Sequence, residues 1–271
     1  MFRYLTANLM SLWIHRSLGW QFTKRQVELR HKGSHLGLAW SFLSPLLMLG
    51  LYVLVFGFIF DGRFKPEDAA ESRIEYALVI FLGLALHHFV AEVMTTAPAL
   101  IVGNPNFVKK VIFPLEILPA ADVGAALVHF LITLGLIFGG ALVWSAPLTW
   151  GVLWLPVLLV PLLLTALGFS LGLSAVAVFW RDLMQITQFA ILALLFASAV
   201  FYPLSKIPPP AWAVLKFNPL LLAIDEARGT AFWGRPINFT HLGYLYAFGL
   251  ATYFAGATIF QRLRNSFADV L

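Results

Sequence analysis

The sequence predicts an all-α integral membrane protein with six transmembrane helices, and three observations lead to that prediction. Hydrophobic residues make up 60% of the 271 residues and charged residues only 11%, whereas soluble domains contain about 25% charged residues. The charges are concentrated at the ends of long apolar segments. Because one crossing needs about 20 apolar residues, these segments provide about six crossings, which we assign to one membrane domain, residues 1–271.

The N-terminal segment, residues 2–22, is predicted to form an amphipathic interface helix. Its leucine and aromatic residues recur at roughly helical spacing, while Asn8, His15 and Arg16 interrupt any spanning run. The helix is therefore expected to lie in the plane of the interface. A short soluble helix packed on a partner fits the same pattern and stays open as an alternative. The segment lacks the features of a signal peptide, so no cleavage is expected.

The six predicted spans follow from the lengths of the uncharged segments. Residues 37–60 contain no charged side chain and would measure about 36 Å as a helix, which exceeds the hydrocarbon core of about 30 Å. Residues 123–180 are also uncharged, and this stretch is too long for one crossing, so it predicts a helical hairpin. The predicted spans are residues 37–60, 76–96, 115–144, 150–180, 183–201 and 241–260.

Two other segments are too broken for a continuous crossing. Residues 98–111 contain Gly103 and Pro105 among basic residues and are predicted to form a short basic loop with one or two helical turns. Residues 202–240 are rich in proline yet too apolar for a solvated loop. They predict two short re-entrant helices, within residues 208–233, that enter the membrane from outside and return.

The second re-entrant helix has a clear start. Asn218 is expected to be its N-cap and Pro219 its first residue, where the missing N–H has no consequence. Asp225 and Arg228 are three residues apart and therefore share a face of the helix. Since non-helical backbone at membrane depth needs protein or a water-filled cavity around it, the pair of helices points to a pathway. A folded outer cap without a transport role is the alternative.

The distribution of Lys and Arg predicts the orientation. Six spans place both termini on one face, which carries eleven of these residues against seven on the opposite face. Because Lys and Arg near span ends favour the cytoplasm, both termini are predicted to be cytoplasmic. The net charge of +5 is explained by this orientation signal, so nucleic acid is not expected as a partner.

Two motifs allow an enzymatic interpretation, and neither is favoured. Ser170 stands in a Gly-x-Ser-x-Gly pattern, which exposes a nucleophilic serine when it forms a strand-to-helix turn. Here the pattern lies in an apolar run. The two glycines are therefore better explained as a helix-packing face. His87, His88 and Glu92 are candidates for a metal site or a proton relay. Their spacing is not that of a two-histidine zinc helix, and snorkelling or interhelical hydrogen bonds explain them better. The sequence lacks the Gly-x-x-x-x-Gly-Lys-Ser/Thr motif, so no nucleotide binding through it is expected.

Aromatic residues in the outer halves of spans one and five are candidates for lining a passage. Aromatic faces offer apolar stacking area with little loss of rotamer freedom, and tyrosine adds a hydroxyl, which suits a sliding sugar chain. Contact with lipid or with the protein core is the alternative for any single one of them. The candidates are Tyr52, Phe56, Phe58, Phe196, Phe201 and Tyr202.

A series of short motifs is distributed over nearly the whole chain: Arg30 with Lys32, Leu36-Gly37, Trp40, Pro45, Asn106, Lys109, Phe113-Pro114, Arg181-Asp182, Tyr202-Pro203, Pro208, Asn218-Pro219 and Arg228. In this order, and in this placement relative to six spans, they resemble the membrane subunit of ABC-2 type polysaccharide exporters. One departure is His31, where the family is expected to have an aromatic residue, usually tyrosine.

The resemblance implies a homodimer of this subunit, completed by two separate ATP-binding subunits on the cytoplasmic face that hold ATP and Mg. This chain itself would bind no cofactor or metal and would catalyse no reaction. The cargo would be a lipid-linked polysaccharide, such as an O antigen, capsule or teichoic acid, moved outward across the cytoplasmic (inner) membrane of a bacterium. Residues 98–111 would be the cytoplasmic coupling element, and residues 208–233 the outer gate helices.

The resemblance also implies roles for individual residues. Residues 24–47 would act as a hinge between the interface helix and span one, where Gly37 gives backbone freedom or close packing. The expected coupling residues are Arg30, Lys32, Asn106, Lys109, Lys110 and Arg181, and the expected outer-gate residues are Asn218, Asp225, Glu226 and Arg228.

The competing interpretations are an ABC-2 permease for small drugs or lipids and an intramembrane enzyme that uses Ser170 or the His87 to Glu92 cluster.

Overall fold

The computed structural model describes residues 13–30, 35–59, 64, 72–109 and 113–271. All regular elements within these ranges are helical, which confirms the predicted all-α fold. The α-helices are α1 (Arg16–Arg30), α2 (Trp40–Tyr52), α3 (Arg73–Thr96), α4 (Ala99–Val102), α5 (Pro105–Lys109), α6 (Ile117–Val143), α7 (Leu155–Ala177), α8 (Leu183–Ala197), α9 (Pro209–Leu215), α10 (Pro219–Trp233), α11 (Phe239–Leu263) and α12 (Phe267–Val270). A π-helical stretch, Val53–Ile59, continues α2, and 3₁₀ turns lie at Gly37–Ala39, Trp150–Trp154, Leu204–Lys206 and Arg264–Ser266.

Four helical stretches of the described residues are long and apolar enough to cross a membrane: Arg73–Thr96, Ile117–Val143, Trp150–Ala177 and Phe239–Val270. Two shorter apolar helices, Trp40–Val55 and Leu183–Ala197, occupy the positions of predicted spans one and five. Together with the all-α fold, these stretches support a multi-pass membrane protein. The number of crossings and the side on which the termini lie stay predictions.

Helix α8 ends earlier than the predicted span 183–201. It has 15 residues, which correspond to about 22 Å at 1.5 Å per residue. The helix stops before Ala199, which takes a left-handed backbone conformation with a φ of 51°. Residues 198–201 therefore form a bend at the end of α8 instead of another helical turn.

Helix α1 extends past the predicted end of the interface helix at residue 22. It continues to Arg30, while residues 2–12 of the predicted helix lie outside the described ranges. The extension has two causes. The added residues include Lys, Arg, Gln and Glu, which are good helix formers, and Thr23 is buried at the start of the extension. Residues 24–30 are thus part of a regular helix, and a hinge within residues 24–47 stays a prediction.

Gly37 lies in the 3₁₀ turn that precedes α2. This residue has a φ of +50°, a conformation that side chains with a Cβ rarely adopt. A Cβ added there would meet no atom within 4 Å. The backbone conformation therefore supports the first of the two reasons considered for this glycine, and among the described residues no atom packs closely against it.

Helices α7 and α11 pack backbone against backbone through glycine. A Cβ on Gly256 would lie 2.0 Å from the carbonyl oxygen of Gly168, and a Cβ on Gly249 would lie 2.5 Å from that of Pro161. Gly172 lies on the same face, since its Cβ would be 3.5 Å from the Cα of Gly256. Small residues at such crossings let membrane helices approach closely. The predicted helix-packing face around Ser170 is therefore confirmed.

Helix α3 is the central helix of the bundle. Most of its residues, including the run from Tyr76 to His87, are buried, and it contacts α2, α6, α7, α8 and α10. The bundle has two different ends. We call the end formed by α1, α4, α5 and α12 the basic end, and the end formed by α9, α10 and the Trp150–Trp154 turn the opposite end. The candidate functional residues are divided between these two ends.

Candidate functional sites at the two ends of the bundle

An aromatic cluster holds the short helices of the basic end together. The Phe107 ring of α5 stacks on the Phe113 ring with centroids 4.7 Å apart. The Phe22 ring of α1 contacts both, with centroid distances of 5.6 and 5.2 Å. Because aromatic pairs of this kind add to the apolar contact, α1, α5 and the segment that enters α6 form one packed unit.

Helix α12 belongs to the same packed unit. The side chain of Phe267 is fully buried, and its ring lies 5.6 Å from the Phe260 ring and 6.2 Å from the Phe179 ring. Arg264, in the turn before α12, donates from Nη1 to Oε2 of Glu116 at 3.3 Å. The C-terminal turns are thus connected to the start of α6 and to the turn after α7.

Helix α1 lies across the beginning of α6. The Thr23 hydroxyl donates to the carbonyl of Ala121 at 3.4 Å, and a Cβ on Gly124 would lie 2.7 Å from the Thr23 hydroxyl oxygen. The other face of α1 keeps Trp20 exposed, and the Lys24 ammonium lies 5.6 Å above its ring. Exposed aromatic and basic side chains on one helix are typical of a membrane interface.

Three of the predicted coupling residues are described with their side chains. Asn106, Lys109 and Arg181 are all exposed at the basic end, where a partner can reach them. Arg30 is the last residue of α1, but its side chain is not described. Lys32 and Lys110 lie outside the described residues. The coupling role of all six residues stays a prediction.

Arg228 is buried at the opposite end and binds three backbone carbonyls. It is 2% exposed, and it donates from Nε to Val79 at 2.9 Å, from Nη1 to Ala199 at 2.9 Å and from Nη2 to Val200 at 2.6 Å. The Phe64 ring lies 4.6 Å from the guanidinium carbon, within the range of a cation–π interaction. These contacts tie α10 to α3 and to the bend after α8. The guanidinium is thus directed into the protein.

Asn218 makes a second connection between α8 and α10. Its Oδ1 accepts the N–H of Leu220 at 3.0 Å, and Pro219 follows as the first helical residue, so the predicted N-cap is confirmed. Its Nδ2 donates to the carbonyl of Ala197 at 3.0 Å and to the hydroxyl of Ser198 at 3.1 Å. The end of α8 is therefore attached to α10 at two points, through Asn218 and through Arg228.

Asp225 and Glu226 bind other partners than Arg228. Oδ2 of Asp225 lies 2.5 Å from Nη2 of Arg235. The Glu226 carboxylate is almost fully buried, with Oε1 2.7 Å from Nδ1 of His241 and Oε2 accepting the N–H of Asn238 at 3.2 Å. These bonds fasten α10 to the start of α11. Most residues of α10 are buried, so it is packed into the protein, and a gating role for its polar residues stays a prediction.

The described aromatic candidates for the passage lie close to one another. The Tyr52 ring of α2 is 6.5 Å from the Phe201 ring beyond the end of α8. The Tyr202 hydroxyl donates to the carbonyl of Phe196 at 2.5 Å, and the Phe196 side chain is exposed. The side chains of Phe56 and Phe58 are not described. A glycan path along these residues stays a prediction.

The residues of the enzymatic alternative make structural contacts. Ser170 is fully buried and its hydroxyl donates to the carbonyl of Pro119 at 3.4 Å, which holds α7 against α6. His87 Nε2 lies 3.2 Å from the carbonyl of Ile191 and links α3 to α8. Glu92 and His129 form a pair between α3 and α6, with Oε1 3.2 Å from Nδ1. Interhelical hydrogen bonds, one of the two favoured explanations, therefore account for His87 and Glu92.

Sequence reasoning missed two residues that shape the opposite end. A Cβ on Gly83 would lie 2.2 Å from Nη2 of Arg228, so this glycine provides the space for the guanidinium. An isolated glycine in the middle of a spanning helix is a usable signal for such close approach. Thr149 donates its backbone N–H to the carbonyl of Ala231 at 2.9 Å and its hydroxyl to that of Thr230. Its partners are distant in sequence, so no local pattern indicates them.

Comparison with known proteins assigns the class. The ABC-2 type transporter family matches residues 18–232, and the chain belongs to this family of membrane transport subunits. It is 25% identical over 269 residues to the O-antigen export system permease protein RfbA of Klebsiella pneumoniae, covering 97% of this chain and 100% of that protein. It is 26% identical over 260 residues to RfbA of Myxococcus xanthus, covering 95% and 96% of the two chains. The polysialic acid transport protein KpsM of Escherichia coli is 23% identical over 250 residues, covering 88% and 90%.

Proposed function

We propose that this chain is the channel-forming membrane subunit of an ATP-driven exporter that moves a lipid-linked polysaccharide outward across the cytoplasmic (inner) membrane of a bacterium. The observation that carries the proposal is the similarity, along nearly the whole chain, to O-antigen export permeases and to a polysialic acid transport protein. These relatives are named for different glycans. The function common to their names is the transport of a polysaccharide and not the recognition of one particular glycan.

ATP and Mg are bound by two copies of a separate ATP-binding subunit at the basic end, and this chain contributes the surface on which they act. The exposed Asn106 and Lys109 stand on α5, which is packed through Phe107 against α1 and the start of α6. Movement of the ATP-binding subunits presses on α5, and the aromatic cluster transmits that movement to the spans. This arrangement supports α4 and α5 as the coupling element.

A second copy of the chain completes the channel. Helices α2 and α8 both present large apolar side chains to the exterior, and the Tyr52 ring at the end of α2 lies 6.5 Å from the Phe201 ring, which follows α8. Two copies that meet along these faces enclose a passage with the aromatic candidates on its wall. The exposed residues are Phe42, Leu46, Leu47, Met48 and Leu51 on α2, Leu54 on the π-helical stretch that follows it, and Ile186, Phe189, Leu192 and Phe196 on α8.

Reversing the charge of the coupling element is expected to separate the two kinds of subunit. In the double variant Lys109→Glu with Lys110→Glu, the amount of ATP-binding subunit that co-purifies with the chain should fall about tenfold or more, which corresponds to about 1.4 kcal/mol. The reason is that repulsion at a charged interface weakens association. The measurement is quantitative immunoblotting of the complex after affinity purification in detergent.

The matched control is Lys206→Glu with Lys216→Glu. Both of these lysines are exposed at the opposite end, and the change in net charge is the same. This control should co-purify like the unmodified chain. If the Lys109 and Lys110 variant assembles and exports as well as the control, the coupling assignment is wrong.

A further inference from the structure

A row of exposed basic and aromatic side chains runs along α1. Arg16, Trp20 and Lys24 follow one another at intervals of four residues, so they lie on one face of the helix, and all three are exposed. The Arg16 guanidinium carbon lies 5.3 Å from the ring of Trp13, which is also exposed, and the Lys24 ammonium lies 5.6 Å from the Trp20 ring. We call these four residues the exposed face of α1.

The two cations of this face keep hydrogen-bond donors for a ligand. An ammonium has three N–H donors and a guanidinium five, and a contact with one ring leaves most of them open. In the part of the chain that the structure describes, neither Arg16 nor Lys24 makes an ion pair or a side-chain hydrogen bond. Basic residues outnumber acidic ones four to one in α1, and the one acid, Glu28, lies a turn beyond Lys24. The exposed face is therefore complementary to an anion.

The exposed face is turned away from the predicted coupling element. Phe22 stands two residues from both Trp20 and Lys24, and at about 100° per residue this places it on the opposite side of α1. The Phe22 ring contacts Phe107 of α5 and Phe113, both of which belong to the connection between α3 and α6. Because that connection lies beyond the ends of the two spans, the exposed face points back along the spans, toward the bilayer.

The contact between α1 and α6 sets the depth of the exposed face. Thr23 packs against Ala121 and Gly124, which stand four and seven residues after Ile117, the first residue of α6. At 1.5 Å per residue, α1 therefore crosses α6 about 6–10 Å from its start. Amphipathic helices at an interface sink about 5–10 Å into the boundary between headgroups and acyl chains. The exposed face thus lies at the level of lipid headgroups.

We propose that the exposed face of α1 binds the headgroup of an anionic phospholipid, with Arg16 and Lys24 donating to its phosphate and the rings of Trp13 and Trp20 lying beside its glycerol. Long basic side chains reach the phosphate from a helix at this depth, and Trp favours this layer of the membrane.

The charge of the exposed face selects among the occupants of this layer. A zwitterionic lipid carries a compensating ammonium, so it gains less from two cations than an anionic lipid does. Docking of the ATP-binding subunit is disfavoured, because the face points away from α5. The inference concerns the surrounding bilayer and is independent of the cargo that the chain moves.

The test measures the lipid composition next to α1. The chain contains no cysteine, so Ser17→Cys, at an exposed position beside Arg16, gives one attachment site for a fluorophore. The full chain is reconstituted in phosphatidylcholine nanodiscs that contain the same small fraction of doxyl-labelled phosphatidylglycerol or doxyl-labelled phosphatidylcholine. Quenching should show that phosphatidylglycerol is enriched about fivefold or more, since one Lys or Arg near the headgroups contributes about that factor. Equal quenching by the two labelled lipids would overturn the proposal.

Two charge-matched variants separate this face from the net charge of the chain. Arg16→Gln with Lys24→Gln should remove most of the enrichment, because both phosphate contacts lose their charge. The control Lys206→Gln with Lys216→Gln removes the same charge from exposed positions of the opposite end and should keep the enrichment. An equal loss in the control would show that net charge attracts the lipid, and the assignment to α1 would be wrong.

Adding the ATP-binding subunit to the nanodiscs distinguishes the lipid from a protein partner. The enrichment should stay unchanged when the subunits assemble, because the exposed face is turned away from α5. Enrichment that disappears on assembly would identify the face as part of the docking surface and overturn the proposal. Glycan transport is not required in any of these measurements, so failure of the proposed function would leave their outcome intact.

Discussion

Replacing Arg228 with alanine is expected to lower the free energy of unfolding by about 2–6 kcal/mol, because it removes the donor from three buried carbonyls, and the two in the bend after α8 are then left without any donor, at about 1–3 kcal/mol each. The carbonyls belong to Val79, Ala199 and Val200. The measurement is the midpoint of thermal unfolding of the detergent-solubilised chain, followed by tryptophan fluorescence. Arg228→Lys should recover only part of the loss, since an ammonium lacks the planar fork that reaches several acceptors at once.

The neighbouring Arg235 provides the matched control. Its side chain is 40% exposed, so Arg235→Ala should cost about 1 kcal/mol or less. Gly83→Ala should reproduce the effect of Arg228→Ala, because its Cβ would occupy the position of the guanidinium. The double variant should then be little worse than either single one, as expected for residues in contact. Equal unfolding midpoints for Arg228→Ala and Arg235→Ala would contradict the structural role of Arg228.

Replacing Gly256 with leucine is expected to separate α7 from α11 and to be at least as damaging. A Cβ at this position would lie 2.0 Å from the carbonyl oxygen of Gly168, so the helix backbones must move apart. Overpacking usually lowers the free energy of unfolding by about 1–3 kcal/mol. Because backbone atoms cannot rotate away from the clash, the loss here should be about 3 kcal/mol or more. The expected result is a loss of monodisperse protein in size-exclusion chromatography and a lower unfolding midpoint.

Gly243→Leu is the control for this prediction. Gly243 lies in the same helix, and a Cβ there would meet no atom within 4 Å. The control should elute and unfold like the unmodified chain. A Gly256→Leu variant as stable as Gly243→Leu would show that the two helices do not touch at this crossing.

Local patterns predicted those parts of the structure whose causes are local. The cap at Asn218 followed by Pro219 was predictable, because the cap depends on the identity of adjacent residues. The long apolar segments predicted the helices, because length and hydropathy decide the crossing. The sequence left two explanations for Gly37, and the positive φ at this residue supports backbone freedom.

The contacts that organise the candidate sites were not predictable in this way. Arg228 binds Val79, which lies 149 residues earlier in the chain, and no sequence spacing encodes that distance. The shared helix face of Asp225 and Arg228 gave no indication that Asp225 binds Arg235 instead. The end of α1 was placed too early, because the burial of Thr23 against α6 depends on the tertiary fold. The early end of α8 depends likewise on the bend that Arg228 holds.

Transport by the purified complex tests the central claim most directly. The chain and its ATP-binding subunit are reconstituted in liposomes with the ATP-binding side outward, and movement of a lipid-linked glycan into the lumen is measured by its protection from an added glycosidase. The account predicts protection that requires ATP and both subunits. Protection without ATP, or ATP-dependent uptake of small amphipathic drugs with no movement of the glycan, would contradict it.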